Sequence, residues 1–168
     1  MGNQQETDLA YLAGILDGEG CIHLSFRAGK TEGKGNFNRR VQITNTSAVL
    51  VDFVTEFLTT QEIPFYVQWN RHVGKNHRPY ATIMLSKLEG IKKFLSALLP
   101  YLRIKKRQAE LMLEFVDSRL QTFETAQRNS IKWSFTQREL DIAKAMRTLN
   151  GKGIWNLNDY TLNATAKI

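Results

Sequence analysis

Apolar residues recur at helical spacing between Asp8 and Asp17, at Leu9, Leu12, Ile15 and Leu16, with Thr7 or Asp8 available to cap the start. The stretch predicts a first helix. From Gly20 to Ala28 the period drops to two: Ile22, Leu24 and Phe26 alternate with Cys21, His23, Ser25 and Arg27, as in a strand with one buried face. A Gly- and Lys-rich connection runs through Asn36, after which Val41 and Ile43 alternate with Arg40, Gln42 and Thr44. This second strand is expected to pair with the first as a hairpin. Ser47 opens a helix that carries Leu50, Phe53, Val54, Phe57 and Leu58 on one side and ends near Gln61, before Pro64. Residues 65–73 and 80–85 form a second hairpin, with Phe65, Val67 and Trp69 facing inward.

Ser86 and Glu89 have the spacing of a capping box for a helix bearing Leu88, Ile91, Leu95 and Leu98, closed by Pro100. The basic stretch from Leu102 to Gln108 leads into another helix through about Gln121, and a last helix starts at the box Thr136–Glu139. The tail from Asn150 onward, rich in Asn and Gly, reads as loop. The order αββαββα with extra C-terminal helices implies an α+β fold with an antiparallel sheet. At 168 residues it is read as one domain over 1–168, with a core at about 8–120 and a helical extension at about 121–168.

One sheet face packs on helices and the other is polar and basic. Between Arg27 and Arg40, both included, five Lys or Arg stand against one acid, Glu32; between Arg71 and Arg78 there are three basic residues, His72, His77 and no acid. A merely solvated face would mix both signs, and the formal charge of the whole chain is +7. Both point to a polyanionic partner, nucleic acid before an anionic membrane surface. No apolar run approaches the roughly 20 residues of a membrane span, and MGNQQETD lacks a targeting core. The single cysteine, Cys21, cannot form an internal disulfide, so an intracellular location in cytoplasm or organelle is expected. Cys21, His23, His72 and His77 lack the spacings of a zinc site.

Gly14 sits mid-helix, where Gly costs about 1 kcal/mol relative to Ala. Ala10, Ala13, Gly14 and Asp17 line the side opposite the leucines, so either a second helix backbone approaches there or the chain's own core does. Asp17 and Glu19 then fall at the helix C-terminus, where the macrodipole disfavours negative charge. Two acids in that position suggest a bound cation.

Residues 12–20, LAGILDGEG, resemble the signature of the LAGLIDADG homing endonucleases in the Leu-Ala-Gly opening, both acids and the closing Gly. The motif also ends a helix and feeds a strand, and the resemblance covers about residues 8–120. It implies that Glu19 holds catalytic metal together with the Gly18 carbonyl, while Asp17 fastens the helix end. It implies Mg²⁺ as cofactor, with Mn²⁺ or Ca²⁺ able to substitute for binding. PYLRIKKRQA, residues 100–109, resembles the segment that brings a lysine, here Lys105, to the scissile phosphate, and QITN, residues 42–45, resembles the place of a water-ordering polar residue, here Asn45. On their own, the lysines are also a basic helix start and Asn45 a turn former. Where some members carry an arginine, this chain has Val49.

One acidic motif serves one strand of a duplex, so the resemblance implies a homodimer joined through Ala10, Ala13, Gly14 and Asp17. Major-groove reading falls to His23, Ser25, Arg27, Arg40, Gln42, Tyr66, Gln68, Asn70 and Tyr80. The expected function is sequence-specific double-strand cleavage of a long, near-palindromic DNA target, promoting homing of an intron or intein. The alternatives are an RNA-splicing maturase acting on its own intron RNA and a non-catalytic DNA-binding regulator.

Overall fold

A computed structural model describes residues 2–28, 35–70, 78–129 and 135–151. The elements run α1 (Gly2–Glu19), β1 (Gly20–Ala28), β2 (Gly35–Asn45), α2 (Ala48–Thr60), β3 (Tyr66–Asn70), β4 (Tyr80–Leu85), α3 (Leu88–Leu98), α4 (Lys106–Asn129) and α5 (Gln137–Asn150). The strands form one antiparallel sheet in the order β1-β2-β4-β3. The expected α+β order is thus the observed one.

Alternation along the strands creates the two faces. Ile22, Leu24, Val41, Ile43, Ala81, Ile83 and Leu85 are buried beneath the helices, and cross-strand partners share a face, as in Ile22 with Val41 and Ile43 with Ile83. α1 contributes Leu12, Ile15 and Leu16 to the same cluster, α2 contributes Val51, Val54 and Leu58, and α3 contributes Ile91, Phe94, Leu95 and Leu98. Among the described residues, no helix is long and apolar enough to cross a membrane.

Several local expectations change. α1 begins at Gly2, six residues before Asp8, because nothing in GNQQETD breaks a helix; Asp8 instead accepts a bond from Gln4 one turn back, at 3.0 Å. The Ser86–Glu89 box does not form: Lys87 is the N-cap of α3, with no side-chain bond. β2 starts at Gly35, so Asn36 belongs to the strand and not to the connection. Trp69 pairs with inward-facing Ala81, yet it is 53% exposed, because β3 is an edge strand. Residues 71–73 of the expected hairpin, His72 and His77, and the tail beyond 151 lie outside the described residues.

The C-terminal helices are integral to the core. α4 buries Leu111, Met112, Phe115 and Val116, and α5 buries Ile142, Ala143 and Met146. The box at the start of α5 forms in both directions, with Glu139 N–H donating to Thr136 Oγ1 at 3.2 Å and Thr136 N–H to the Glu139 carboxylate at 2.9 Å. Glu139 is fully buried, and its carboxylate also accepts from Ser118 Oγ at 3.0 Å and pairs with Arg119 at 3.5 Å. Arg39, on the inward face of β2 opposite Leu24, shares this region; burial first, and then the Arg119 charge, push its guanidinium below the usual arginine value. Glu139 is therefore the buried acid that pairs with Arg119. Glu139→Ala should lower unfolding stability by about 3 to 5 kcal/mol, the usual cost of stranding one partner of a buried pair. Urea unfolding of wild type and variant measures this, and a loss below about 1 kcal/mol would mean the pair contributes only as an exposed one does.

Candidate active site and nucleic-acid interface

The turn from α1 into β1 is tight because Gly20 has no side chain: a Cβ there would lie 2.6 Å from the Leu16 carbonyl oxygen. That turn fixes where the two acids of the motif point. Asp17 turns inward, 9% exposed, and its carboxylate accepts backbone N–H bonds from Arg103 at 2.8 Å, Ile104 at 3.1 Å and Lys105 at 2.8 Å. The Lys105 ammonium returns to the Asp17 backbone carbonyl. Burial alone would push the Asp17 carboxyl up, but the N–H groups of Arg103, Lys105 and Ile104 and the Lys105 charge outweigh it and hold the carboxyl below its ordinary 3.8. Glu19, two residues on, is exposed and has no hydrogen-bond or ion-pair partner among the described residues. Gly18 between them is exposed as well, with open space around it.

Asn45 lies at the same end of the sheet, since Gly20 pairs with Ile43 two residues before it. Its side-chain oxygen accepts the Ser47 N–H at 2.8 Å and so shapes the entry to α2. The turn-forming role is thus the one the geometry fills, while the amide nitrogen and the second lone pair of the oxygen remain for another partner. Ser47 in turn caps α2 through the Leu50 N–H at 3.4 Å.

The four residues assigned to a subunit contact divide. Ala10 and Gly14 are exposed, and a Cβ at Gly14 would meet nothing within 4 Å, so the chain's own core does not require a glycine there. Ala13 is fully covered by the chain's own core, and the Asp17 side chain is occupied by the 103–105 turn. Ala13 is thus buried within the lone chain, and little of Asp17 is exposed. The exposed stripe of this part of α1 is Ala10, Tyr11, Gly14 and Gly18.

The register places all nine proposed reading residues on the sheet face turned away from the helices. His23 is opposite Arg40, Ser25 opposite Asn38, Arg27 opposite Asn36, Cys21 opposite Gln42, and Gln42 in turn opposite Met84. On the other half, Tyr66 is opposite Met84, Gln68 opposite Thr82 and Asn70 opposite Tyr80. His23 and Ser25 meet at 3.0 Å. Burial first, and then the Arg40 charge, lower the His23 pKa from its ordinary 6.5, which keeps the ring neutral at neutral pH. Asn36, Asn38, Thr44 and Thr82 share the face and were missed, although the first three have the alternation of Arg40; Thr44 and Thr82 bridge β2 and β4 at 3.0 Å.

No protein-family model matches the sequence, and no curated protein is similar to it in sequence. Solved structures are similar in fold. The archaeal intron-encoded homing endonuclease I-Vdi141I, complexed with DNA, superposes with a TM-score of 0.65 at 15% identity, covering 95% of this chain and 93% of that one. The group I intron-encoded homing endonuclease I-CeuI, also complexed with DNA, gives 0.61 at 12% identity, covering 88% and 70%. The homing endonuclease I-CvuI, in complex with its target in the presence of Ca, gives 0.53 at 16% identity, covering 88% and 97%. The chain has the LAGLIDADG homing-endonuclease fold. Within that fold the motif of residues 12–20 occupies the end of α1 and its turn into β1.

The Asp17 contacts predict an acid-sensitive anchor. A carboxyl held below its unfolded value stabilises the fold fully above that value, and the stabilisation is lost as pH falls through the lower folded value. Asp17→Asn should therefore be less stable than wild type at neutral pH, and the gap should close below about pH 3.8. Urea midpoints of both proteins across about pH 2 to 7 measure the gap; one that stays constant with pH would show that the charge of Asp17 contributes nothing.

Proposed function

We propose that the chain is a sequence-specific, metal-dependent endonuclease that cuts both strands of a long, near-palindromic DNA target as a homodimer, promoting homing of the intron or intein that encodes it. The observation that carries this reading is the split between the two acids of the motif. Asp17 is consumed in fastening α1, while Glu19 is exposed and unpartnered among the described residues at the helix end, where an acid is unfavourable unless a cation joins it. Structures with the same fold are homing endonucleases complexed with DNA, and two of them are intron-encoded.

The donors fit a divalent cation that prefers oxygen. Glu19 supplies a carboxylate and Gly18 a carbonyl, but the described residues hold no group of three His, Cys, Asp or Glu. The remaining ligands would be a second Glu19, phosphate oxygens and water, a set that suits Mg²⁺. A bound metal of this kind lowers the pKa of an attacking water and stabilises the departing 3′ oxygen. Lys105, held at the Asp17 carbonyl, brings a positive charge within two residues of Glu19 and is suited to neutralise a phosphate. The outward face reads bases through side chains such as Gln42, Arg40 and Asn70, while cations around it hold phosphates.

Dimerisation is supported by what surrounds the open stripe of α1. Tyr11 is 56% exposed and packs edge-on against Phe53 of α2; Val49, one turn before Phe53, is 80% exposed; Ile104, beside Asp17, is 73% exposed. Apolar groups left in water around two open glycines suit the surface of a second copy.

Incubation of the protein with Mg²⁺ and a library of duplexes, followed by sequencing of cut ends, tests the reading. Paired cuts in both strands of a near-palindromic site are expected from wild type, and Glu19→Gln should bind the same site while losing on the order of 100-fold or more in cleavage. Tight binding by wild type with no cutting would instead make the protein a DNA-binding regulator.

A further inference from the structure

The helix α5 has structural tasks that do not account for its outward side chains. It packs Ile142, Ala143 and Met146 into the core, and Asn150 Nδ2 donates to the Ile22 carbonyl at 2.7 Å, capping part of the open edge of β1. Between α5 and β1 runs a groove of about 610 Å³. One wall is His23 and Ser25, two of the outward residues of β1; the other is Lys144 and Arg147; the floor includes Leu24, Phe26, Leu140 and Ala143. Lys144 is 75% exposed and meets only Asp141 among the described residues, at 3.7 Å, an interaction worth little in water. Arg147 is exposed and has no partner among the described residues.

The position of this groove is set by the size of a duplex. The major groove is about 12 Å wide and neighbouring strands lie about 4.8 Å apart, so a short set of strands fills it. Whatever lies just outside the edge strand then meets the sugar-phosphate ridge. β1 is that edge strand, and α5 lies just outside it. We propose that α5 is a phosphate clamp, in which Lys144 and Arg147 grip the backbone flanking the base pairs that β1 reads, and the apolar floor receives deoxyribose faces. The proposal rests on the DNA-binding reading above and assigns the C-terminal helix a part in it.

A side chain that neutralises a phosphate strengthens binding to all sequences alike and makes it more sensitive to salt. Each phosphate so neutralised steepens the slope of log K against log salt by about 0.9. The test is the affinity of the full-length protein for a duplex of random sequence across a salt series, with thermal melting of each variant as a check on folding. The double variant Lys144→Gln with Arg147→Gln should bind more weakly and lower the slope by about 1.8 per subunit. Lys92→Gln with Lys93→Gln removes the same charge from α3, in the helical layer away from the reading face, and should leave the slope unchanged. Equal slopes for wild type and the α5 variant overturn the clamp while leaving DNA binding intact. An equal fall in both double variants also overturns it, since net charge alone would then explain the effect. A wild type that binds no duplex, or binds without salt dependence, overturns the clamp together with the reading it rests on.

Discussion

The site depends on one carboxylate accepting three backbone N–H groups. Asp17 receives Arg103, Ile104 and Lys105, residues 86 to 88 positions away, and so locks the end of α1 to the turn that starts α4. Bonds of this kind are charge-assisted and stronger than neutral ones. They also offset the disfavour that a helix C-terminus imposes on an acid. Without them the end of α1 would fray, and the direction of Glu19, the station of Lys105 and the turn at Gly20 would all loosen together. The lysine that the sequence associates with cleavage is thus held by the backbone of the same residue that fastens the helix.

From that anchor the rest of the architecture follows. Gly20 turns the chain directly into β1, and strict alternation from there sends Ile22 and Leu24 to the helices and His23 and Ser25 outward. Pairing with β2, β4 and β3 extends the same parity across the sheet, so that one face is apolar and the other carries Arg, Gln, Asn, His and Tyr. The two edges are managed differently. α5 covers that of β1, while β3 leaves Trp69 half in water.

Much of this was legible in the sequence because it depends on short-range periodicity and on the motif of residues 12–20. The order of elements, the capping box of α5 and the parity of nine outward residues needed only spacings of two, three and four. What was not legible depends on distant partners. Nothing near Ala13 reveals that its own core covers it, and the 103–105 turn that occupies Asp17 is far along the chain. The edge position of β3 exposes a tryptophan whose parity is correct, and the fully buried Glu139 gives α5 a tie to Ser118 and Arg119 that its sequence does not announce. Asn45 was open between two roles, and its bond to the Ser47 N–H fills the local one.

A homodimer joined along α1 is the premise that turns one exposed carboxylate per chain into a site for two strands. Gly14 isolates it, because a Cβ there meets nothing within 4 Å in the chain itself. Sedimentation of wild type and Gly14→Leu, with urea unfolding of both, separates the fold from the assembly. Leucine should leave the lone chain as stable or more so, by up to about 1 kcal/mol from helix propensity, while the variant sediments as a monomer and no longer cuts both strands. A Gly14→Leu protein that remains a fully active dimer, or a wild-type monomer that makes the double-strand break alone, would contradict it.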